Sequence, residues 1–171
     1  TSATVASGQG FMVQATSNSN LNFANIQRVG TNNTFLKTKS DEWQRVWLGI
    51  ELDGKHSNEL LIGFMPDAEE GKDLYDAHKL SAHAHLSFYS FQKQEQMAIQ
   101  GFPTLTEDRV IPIGLEAKTA GEYKFHINHL VDFAEENEVY LYDAETNLLT
   151  NLKEADYALN LEVGKYDKII L

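Results

Sequence analysis

Carboxylates are concentrated in one short stretch of the chain. Five of them fall within ten residues, beside a glycine: Asp67, Glu69, Glu70, Asp73 and Asp76. Hard oxygen ligands on a flexible loop are what calcium requires, although the spacing does not follow an EF-hand loop. The pattern predicts a candidate calcium site at Asp67, Glu69, Asp73 and Asp76, with calcium as the only candidate cofactor. The alternative is a solvated loop in which Asp73 caps a short helical turn over residues 73–79.

Histidines form a second candidate group. His83 and His85 lie on one face of an extended segment, and His78 is close in sequence. Two imidazoles can begin a zinc site, but the spacing assigns no third ligand. We therefore expect exposed polar residues that precede a strand. Strict alternation places two further histidines, His126 and His129, on opposite faces of another strand.

Aromatic side chains offer a third type of chemistry. Trp47 shares a strand face with Arg45 and Glu51, and Trp43 and Tyr75 are predicted on exposed loops or strand faces. A flat ring beside polar groups can stack on a sugar, so these three aromatic residues are candidate ligand-binding residues. The alternative is that they pack in the core or between sheets, as most aromatic side chains do.

Catalytic signatures are missing from the sequence. It contains no Gly-x-Ser-x-Gly elbow, phosphate loop, dinucleotide fingerprint or His-Glu-x-x-His zinc motif. With no cysteine, a thiol nucleophile is excluded. The acidic run at residues 135–138 supplies carboxylates, but their separation across a cleft cannot be inferred. We predict no catalytic residue and no enzyme activity.

The strongest structural signal is a hydrophobic hairpin ahead of the acidic stretch. Residues 45–52 alternate, with the apolar set on one face. That set is Val46, Leu48, Ile50 and Leu52. Asp53 and Gly54 indicate a turn, the polar residues 55–58 suggest a longer loop, and residues 59–65 read as a central return strand.

Further short strands follow at near-regular spacing. The candidates are residues 86–91, 97–100, 110–115, 122–129, 139–142, 146–149, 157–163 and 168–171. Because Pro112 has no N–H to donate, its strand is predicted to lie at a sheet edge or to contain a bulge. With no convincing amphipathic helix, the pattern predicts an all-β fold, an antiparallel β-sandwich of jelly-roll type.

The first forty residues are poor in charge and rich in Asn, Ser, Thr and Gly. They contain short strand candidates at residues 10–15, 21–23 and 26–29. We expect residues 1–40 to contribute N-terminal strands, as the tail of a larger upstream part. Residues 41–171 form the main sandwich and are expected to make one domain with residues 1–40.

Charge limits the range of partners. The chain has 171 residues and a formal net charge of −11, with a sequence pI of about 4.9. No basic stripe is available to neutralise phosphates, so nucleic acid is not expected as a partner. No apolar run reaches the length of a membrane span, so membrane insertion is not expected either.

An ordered series of motifs carries a resemblance over nearly the whole chain. The motifs are Ser7-Gly-Gln-Gly-Phe11, Arg45-Val-Trp-Leu48, Gly63-Phe-Met-Pro-Asp67, Asp73-Leu-Tyr-Asp-Ala77-His-Lys-Leu80, Ile99-Gln-Gly101, Val110-Ile-Pro-Ile-Gly114, Gly121-Glu-Tyr123, Val139-Tyr-Leu-Tyr-Asp143 and Asp167-Lys-Ile-Ile-Leu171. The series resembles the β-rich module of secreted and cell-surface proteins of Bacteroidota. In those proteins it often precedes the C-terminal sorting domain of the type IX secretion system.

The resemblance implies export, and residence outside the cell or on the outer surface of a Gram-negative bacterium. It implies no catalytic residue. Members of that group usually have an upstream part before the Ser-Gly-Gln-Gly segment, whereas this chain begins almost at that segment. We therefore expect a sandwich that is incomplete at its N-terminal end, or one completed by another chain.

These observations predict a non-catalytic structural or adhesive module of a larger type IX-secreted protein. Its partners would be other domains of the parent polypeptide or another chain that completes the sheet. One alternative is a carbohydrate-binding accessory module with a polysaccharide ligand. A third is a cargo fragment bound to secretion machinery.

Overall fold

The computed structural model describes residue 13 and residues 15–30, 43–80, 82–106 and 109–171. The chain divides into two compact units, residues 1–41 and 42–171. The described residues of the second unit form eleven strands: β1 Gln44–Leu52, β2 His56–Phe64, β3 Ala77–His78, β4 Leu86–Gln92, β5 Glu95–Phe102, β6 Pro112–Ala117, β7 Gly121–Val131, β8 Tyr140–Asp143, β9 Leu148–Asn151, β10 Tyr157–Leu161 and β11 Gly164–Ile170. The all-β prediction is confirmed.

In the first unit, the described residues are exposed and contain one 3-10 turn, Asn25–Gln27. The backbone N–H of Ala24 donates to the Gln27 side chain at 2.6 Å and so holds the start of this turn. The strand candidates at residues 21–23 and 26–29 are wrong, because neither segment pairs with another strand. The candidate at residues 10–15 lies largely outside the described residues.

The strands of the second unit form one continuous sheet rather than two separate layers. The strand order is β10-β7-β1-β2-β5-β4-β6-β11-β8-β9, and β3 adds to β5. Most pairs are antiparallel, but β2 and β5 run parallel, so the sheet is mixed. A two-sheet sandwich is not confirmed, because β6 pairs with both β4 and β11 and links the strands into a nearly closed, barrel-like sheet.

The predicted hairpin lies in the interior of this sheet. β1 pairs with β2 over all nine of its residues and with β7 on its other side. Val46, Leu48, Ile50 and Leu52 are all buried in the core, as the alternation predicts. Only residues 53–55 form the turn, with positive φ at Asp53 and Gly54. The turn is thus longer than two residues, as predicted, but the polar residues 56–58 belong to β2.

Two local predictions are corrected. No helical turn forms over residues 73–79, because side-chain acceptors hold the backbone N–H groups of this segment and β3 occupies Ala77 and His78. β6 is an interior strand despite Pro112, so the edge alternative is wrong, whereas its pairing with β11 does contain a register shift, between Tyr166 and Ile169 of β11. The proline is the first residue of β6, a position that strands tolerate because a missing N–H there interrupts no ladder.

Among the described residues, no helix has the length and hydropathy that crossing a membrane requires.

Candidate functional site

A row of aromatic and basic side chains lies on the outer face of β1 and just before it. Trp43, Arg45 and Trp47 alternate with inward residues and are all half-buried. The Arg45 guanidinium lies over the Trp47 ring, 5.6 Å from its centroid. Arg45 Nε also donates to the carbonyl oxygen of Trp43 at 3.3 Å. Arg45 thus joins the two tryptophans into one surface, which we call the aromatic row.

Both tryptophans make edge contacts with rings from other segments. Trp43 meets Tyr75 with ring centroids 5.8 Å apart and planes at 89°. Trp47 meets His129 of β7 at 6.1 Å and 85°. The three predicted ligand-binding residues are therefore brought to one face of the sheet, where Tyr75 and His129 extend the aromatic row at its two ends.

Trp47 also lies in a register line that crosses five strands. Directly opposed residues of neighbouring strands share a face. The opposed residues are His129, Trp47, Leu61, Ile99 and Ala77. Ile99 is 39% exposed, and Leu61 and Ala77 are half-buried. The outer face therefore carries an apolar line beside the aromatic row.

A bulge in β7 corrects the prediction for its histidines. The register between β1 and β7 shifts between Trp47 and Leu48, so that Trp47 opposes His129 and Gly49 opposes His126. Both histidines therefore lie on the outer face, contrary to strict alternation. The extra residue is Asn128, whose side-chain amide donates to Glu59 at 2.6 Å. A β-bulge inserts one unpaired residue and cannot be read from a period-two pattern.

In the acidic loop, residues 66–76, the carboxylates bind backbone groups. Asp73 accepts the N–H groups of Glu69 at 2.8 Å and Tyr75 at 2.7 Å. Asp76 accepts the N–H groups of Asp73 at 2.8 Å and Gly101 at 3.0 Å. These bonds fold the loop and tie it to β5.

The remaining acidic residues of the loop do not join Asp73 and Asp76. Glu70 forms a two-pronged pair with Arg109, at 2.7 and 2.8 Å, and this hydrogen bond lowers the pKa of the Glu70 carboxyl. Asp67 and Glu69 are exposed. Within the described ranges, no three or more histidine, aspartate or glutamate side chains are grouped so that they could hold a metal ion. The structure therefore brings Asp73 and Asp76 together, but not the four predicted calcium ligands.

The β8–β9 hairpin ends the sheet on one side. Leu148 and Leu149 of β9 are 49% and 58% exposed, and Tyr140 of β8 is 45% exposed. Among the described strands, β9 pairs only with β8, so its other edge is unpaired. The sequence predicts a strand at residues 146–149 but no binding site there. The adjacent leucines in a short segment flanked by turn residues were the available signal.

The other end of the sheet, β10, is held by a buried hydrogen bond. Tyr157 Oη donates to Asp143 Oδ2 of β8 at 2.6 Å. Burial raises the pKa of Asp143, but hydrogen bonds from Tyr157 and the backbone N–H of Glu145 outweigh this, so the pKa is lowered overall. Burial and the bond to Asp143 raise the pKa of Tyr157. The charged Asp143 carboxylate of β8 therefore binds the neutral Tyr157 phenol of β10 and links the two strands.

His83 and His85 precede β4 as predicted, but both are half-buried, so the prediction that they are exposed is wrong. His83 and His85 do lie together, with ring centroids 6.0 Å apart. Their neighbour is His56 of β2 rather than His78, which instead contacts Lys72 and Glu95. Sequence spacing could not find His56, because it reaches the group through the pairing of strands distant in sequence.

Comparison with known proteins identifies a family but no activity. Residues 1–169 match the family model described as "Domain of unknown function (DUF8693)". Searches of curated proteins and of solved structures gave no match. Because the family match covers almost the whole sequence, the chain belongs to the DUF8693 family.

Proposed function

We propose that this domain is a non-catalytic module that makes protein contacts through the free edge of β9. Its partner is another domain of the parent polypeptide, or another chain that adds a strand. The motif series that resembles secreted proteins of Bacteroidota supports a location outside the cell or on the outer surface of a Gram-negative bacterium. A structural or adhesive role in a type IX-secreted protein agrees with that location.

The exposed edge of β9 carries the proposal. An unpaired strand edge presents backbone donors and acceptors that a further strand can use. Leu149 opposes Tyr142 and Leu148 opposes Asp143, so the two leucines lie on opposite faces of the hairpin. Both leucines are about half exposed. An added strand would therefore gain backbone hydrogen bonds together with apolar contacts on both faces.

The opposite end of the sheet is less suited to docking. Tyr157 of β10 is buried, packs on Phe125 with ring centroids 6.1 Å apart, and binds Asp143. Separating β10 from β8 would leave the Asp143 carboxylate without its phenol donor. The structure thus favours docking at β9 rather than β10.

Hydrogen exchange tests this proposal. We expect the amides of residues 148–151 to exchange at least about tenfold more slowly in the longer parent polypeptide than in this domain alone, because a docked strand protects them. Leu149→Asp should remove that protection. The matched control is Leu74→Asp, since Leu74 is fully exposed in the acidic loop. Equal exchange in the domain and the parent would contradict docking at β9.

A second candidate function is carbohydrate binding at the aromatic row. The supporting observation is that Trp43, Trp47 and Tyr75 lie on one face beside Arg45. Stacked aromatic and guanidinium groups offer flat surfaces and hydrogen-bond donors for a sugar. This candidate ranks second because Arg45 already lies over the Trp47 ring and both tryptophans are half-buried.

Polysaccharide pull-down and glycan-array binding separate the two candidates. If the aromatic row binds sugar, Trp47→Ala and Trp43→Ala should each abolish retention. Tyr140→Ala, an exposed aromatic outside the row, should leave retention unchanged. Binding that survives Trp47→Ala would exclude this residue as the platform.

A further inference from the structure

Basic side chains converge at the end of the sheet where β1 turns into β2. They come from separate segments: His56 begins β2, Lys79 follows β3, His83 and His85 precede β4, and Lys118 follows β6. All five are half-buried, whereas most other lysines of the described chain are exposed. We call this group the basic recess.

The three imidazoles are in mutual contact. The rings of His56 and His85 stack with centroids 3.8 Å apart and planes at 18°. His83 lies 6.4 Å from His56 and 6.0 Å from His85, in edge contacts. The face-to-face rings of His56 and His85 cannot both aim a lone pair at one ion between them. The geometry therefore argues against a zinc centre here.

Backbone contacts fix the tautomer of His83. Its Nδ1 accepts the N–H groups of His85 at 3.2 Å and Leu86 at 3.3 Å. The single ring proton therefore resides on Nε2. A second proton on Nδ1 would face two donors, and burial together with the neighbouring basic groups lowers the pKa of His83. His83 is thus a neutral ring that presents an N–H donor.

Within the described part of the chain, the two lysines bind neutral acceptors only. Lys79 Nζ donates to Asn58 Oδ1 at 2.6 Å, and Lys118 Nζ donates to the carbonyl oxygen of His83 at 3.0 Å. An ammonium group has three donors, so each lysine keeps two for a ligand. Burial lowers the pKa of Lys79, as expected for a cation that lacks a countercharge.

Among the described residues, no carboxylate is one of the groups that act on the pKa of His83. The groups that act on it are His85, His56, Lys79 and Lys118, all of them basic. None of the ion pairs among the described residues includes Lys79 or Lys118.

Nearby acidic residues act on other groups. Asp53 accepts the N–H of Glu122 and acts on Tyr123, whereas Glu116 acts on Tyr89. His85 Nδ1 contacts the neutral Thr119 hydroxyl at 3.2 Å. In a chain of net charge −11, the basic recess therefore gathers basic groups that have no carboxylate partner among the described residues.

We propose that the basic recess binds a divalent oxyanion, a sulfate or phosphate group. Two ammonium charges balance the two negative charges of such a group. The free lysine donors and the Nε2–H of His83 supply charge-assisted and neutral hydrogen bonds to its oxygens.

Histidine ring resonances in an NMR titration of the whole chain test this directly. Sodium sulfate and sodium phosphate are added at pH 6.5 and compared with sodium chloride at equal ionic strength. We expect saturable shifts of His56, His83 and His85 with sulfate and phosphate. His126 and His129, on the outer face of β7, serve as internal controls and should not shift. Equal shifts with chloride, or shifts that do not saturate, would overturn the proposal.

A double substitution tests the lysines. Lys79→Gln with Lys118→Gln should weaken sulfate binding by at least about tenfold, because two charge-assisted hydrogen bonds are lost. The matched control is Lys93→Gln with Lys165→Gln, two exposed lysines elsewhere on the domain. Unchanged affinity in a folded double variant would overturn the proposal. If that variant does not fold, the NMR titration of the wild-type chain with sulfate and phosphate tests the proposal.

The source of the anion is resolved with a sulfated oligosaccharide and its unsulfated parent. Saturable shifts of the same three histidines with the sulfated form alone would support the site. Tighter binding than inorganic sulfate would assign the group to a glycan, and equal affinity would assign it to the free ion. Absence of shifts with both the sulfated oligosaccharide and inorganic sulfate would overturn the proposal.

Discussion

The acidic loop and the basic recess each gather several groups of like charge, yet their partners differ. In the loop, Asp73 and Asp76 accept four backbone N–H groups, and Glu70 binds Arg109. In the recess, the two lysines bind an amide oxygen and a backbone carbonyl, and neither has a carboxylate partner among the described residues. Three carboxylates of the loop thus have hydrogen-bond donors within the fold, whereas the lysines of the recess have no countercharge in the described structure. A cluster of charge is therefore a better site candidate when the fold leaves it without a countercharge.

The largest expected effect concerns the acidic loop. Asp76→Asn should lower the free energy of unfolding by about 1 to 3 kcal/mol, because an amide donor replaces an oxygen that accepts a backbone N–H. Urea unfolding measures the change. Asp67→Asn is the matched control, since Asp67 is exposed in the same loop, and it should stay within about 0.5 kcal/mol of wild type. Equal effects of the two substitutions would remove the structural role of Asp76.

Removing a charge from the basic recess is expected to change the free energy of unfolding in the opposite direction. Lys79→Met should leave stability unchanged or raise it by up to about 1 kcal/mol in chloride buffer, because a partly desolvated cation without a countercharge is removed. Solvent screening of the half-exposed ammonium and loss of the bond to Asn58 limit the gain. The gain should shrink as the pH rises through the lowered pKa of Lys79, where the wild-type amine becomes neutral.

Urea unfolding at pH 7 and pH 10 measures both effects for Lys79→Met. A loss of more than 1 kcal/mol at pH 7 would show that Lys79 stabilises the fold as Asp76 does. In that case the contrast between the loop and the recess would fail.

How far the sequence predicts the structure depends on the range of the interactions. Alternation in residues 45–52 predicts the buried face of β1 correctly, because it depends only on neighbours along the strand. Strand partners depend on contacts between distant residues, so the parallel β2–β5 pair and the single continuous sheet were not predicted. The bulge at Asn128 was missed for the same reason, since one extra residue reverses the face of every residue after it.

Prediction of the candidate sites is limited in the same way, because their residues come together through contacts between segments distant in sequence. Trp43, Trp47 and Tyr75 were chosen for their type, and strand pairing and the fold of the acidic loop bring them to one face. The acidic loop was the most visible cluster in the sequence, but its hydrogen bonds to Tyr75 and Gly101 could not be read from carboxylate spacing. His56 joins His85 only after β2 and the segment before β4 are placed in space.

A smaller effect is expected from the pH response of the recess. The folded state lowers the pKa of His83, so near and below the unfolded value of about 6.5 the unfolded chain binds more protons. The contribution of His83 to stability is therefore present at higher pH and lost as the pH falls through that value. His83→Asn keeps an acceptor for the N–H groups of His85 and Leu86 without titrating.

Thermal unfolding from pH 7.5 to 5.5 measures this response. The melting temperature of His83→Asn should fall less on acidification than that of wild type. His129→Asn, on the outer face, should follow the wild-type curve. Parallel curves for wild type and His83→Asn would show that protonation of His83 does not limit stability.

The smallest effect is expected from calcium. Each of the four carboxylate oxygens of Asp73 and Asp76 already accepts one backbone N–H, which weakens its attraction for a cation, and among the described residues no third histidine, aspartate or glutamate joins them. We expect the melting temperature to change by less than about 1 °C between millimolar calcium and chelator, since a ligand stabilises only in proportion to its affinity for the folded state. Calorimetric titration should show no saturable heat. A saturable heat that Asp67→Asn abolishes would instead establish the predicted calcium site, because Asp67 is a proposed ligand whose substitution breaks no structural hydrogen bond. The acidic loop would then be an ion-binding site, as we propose for the basic recess.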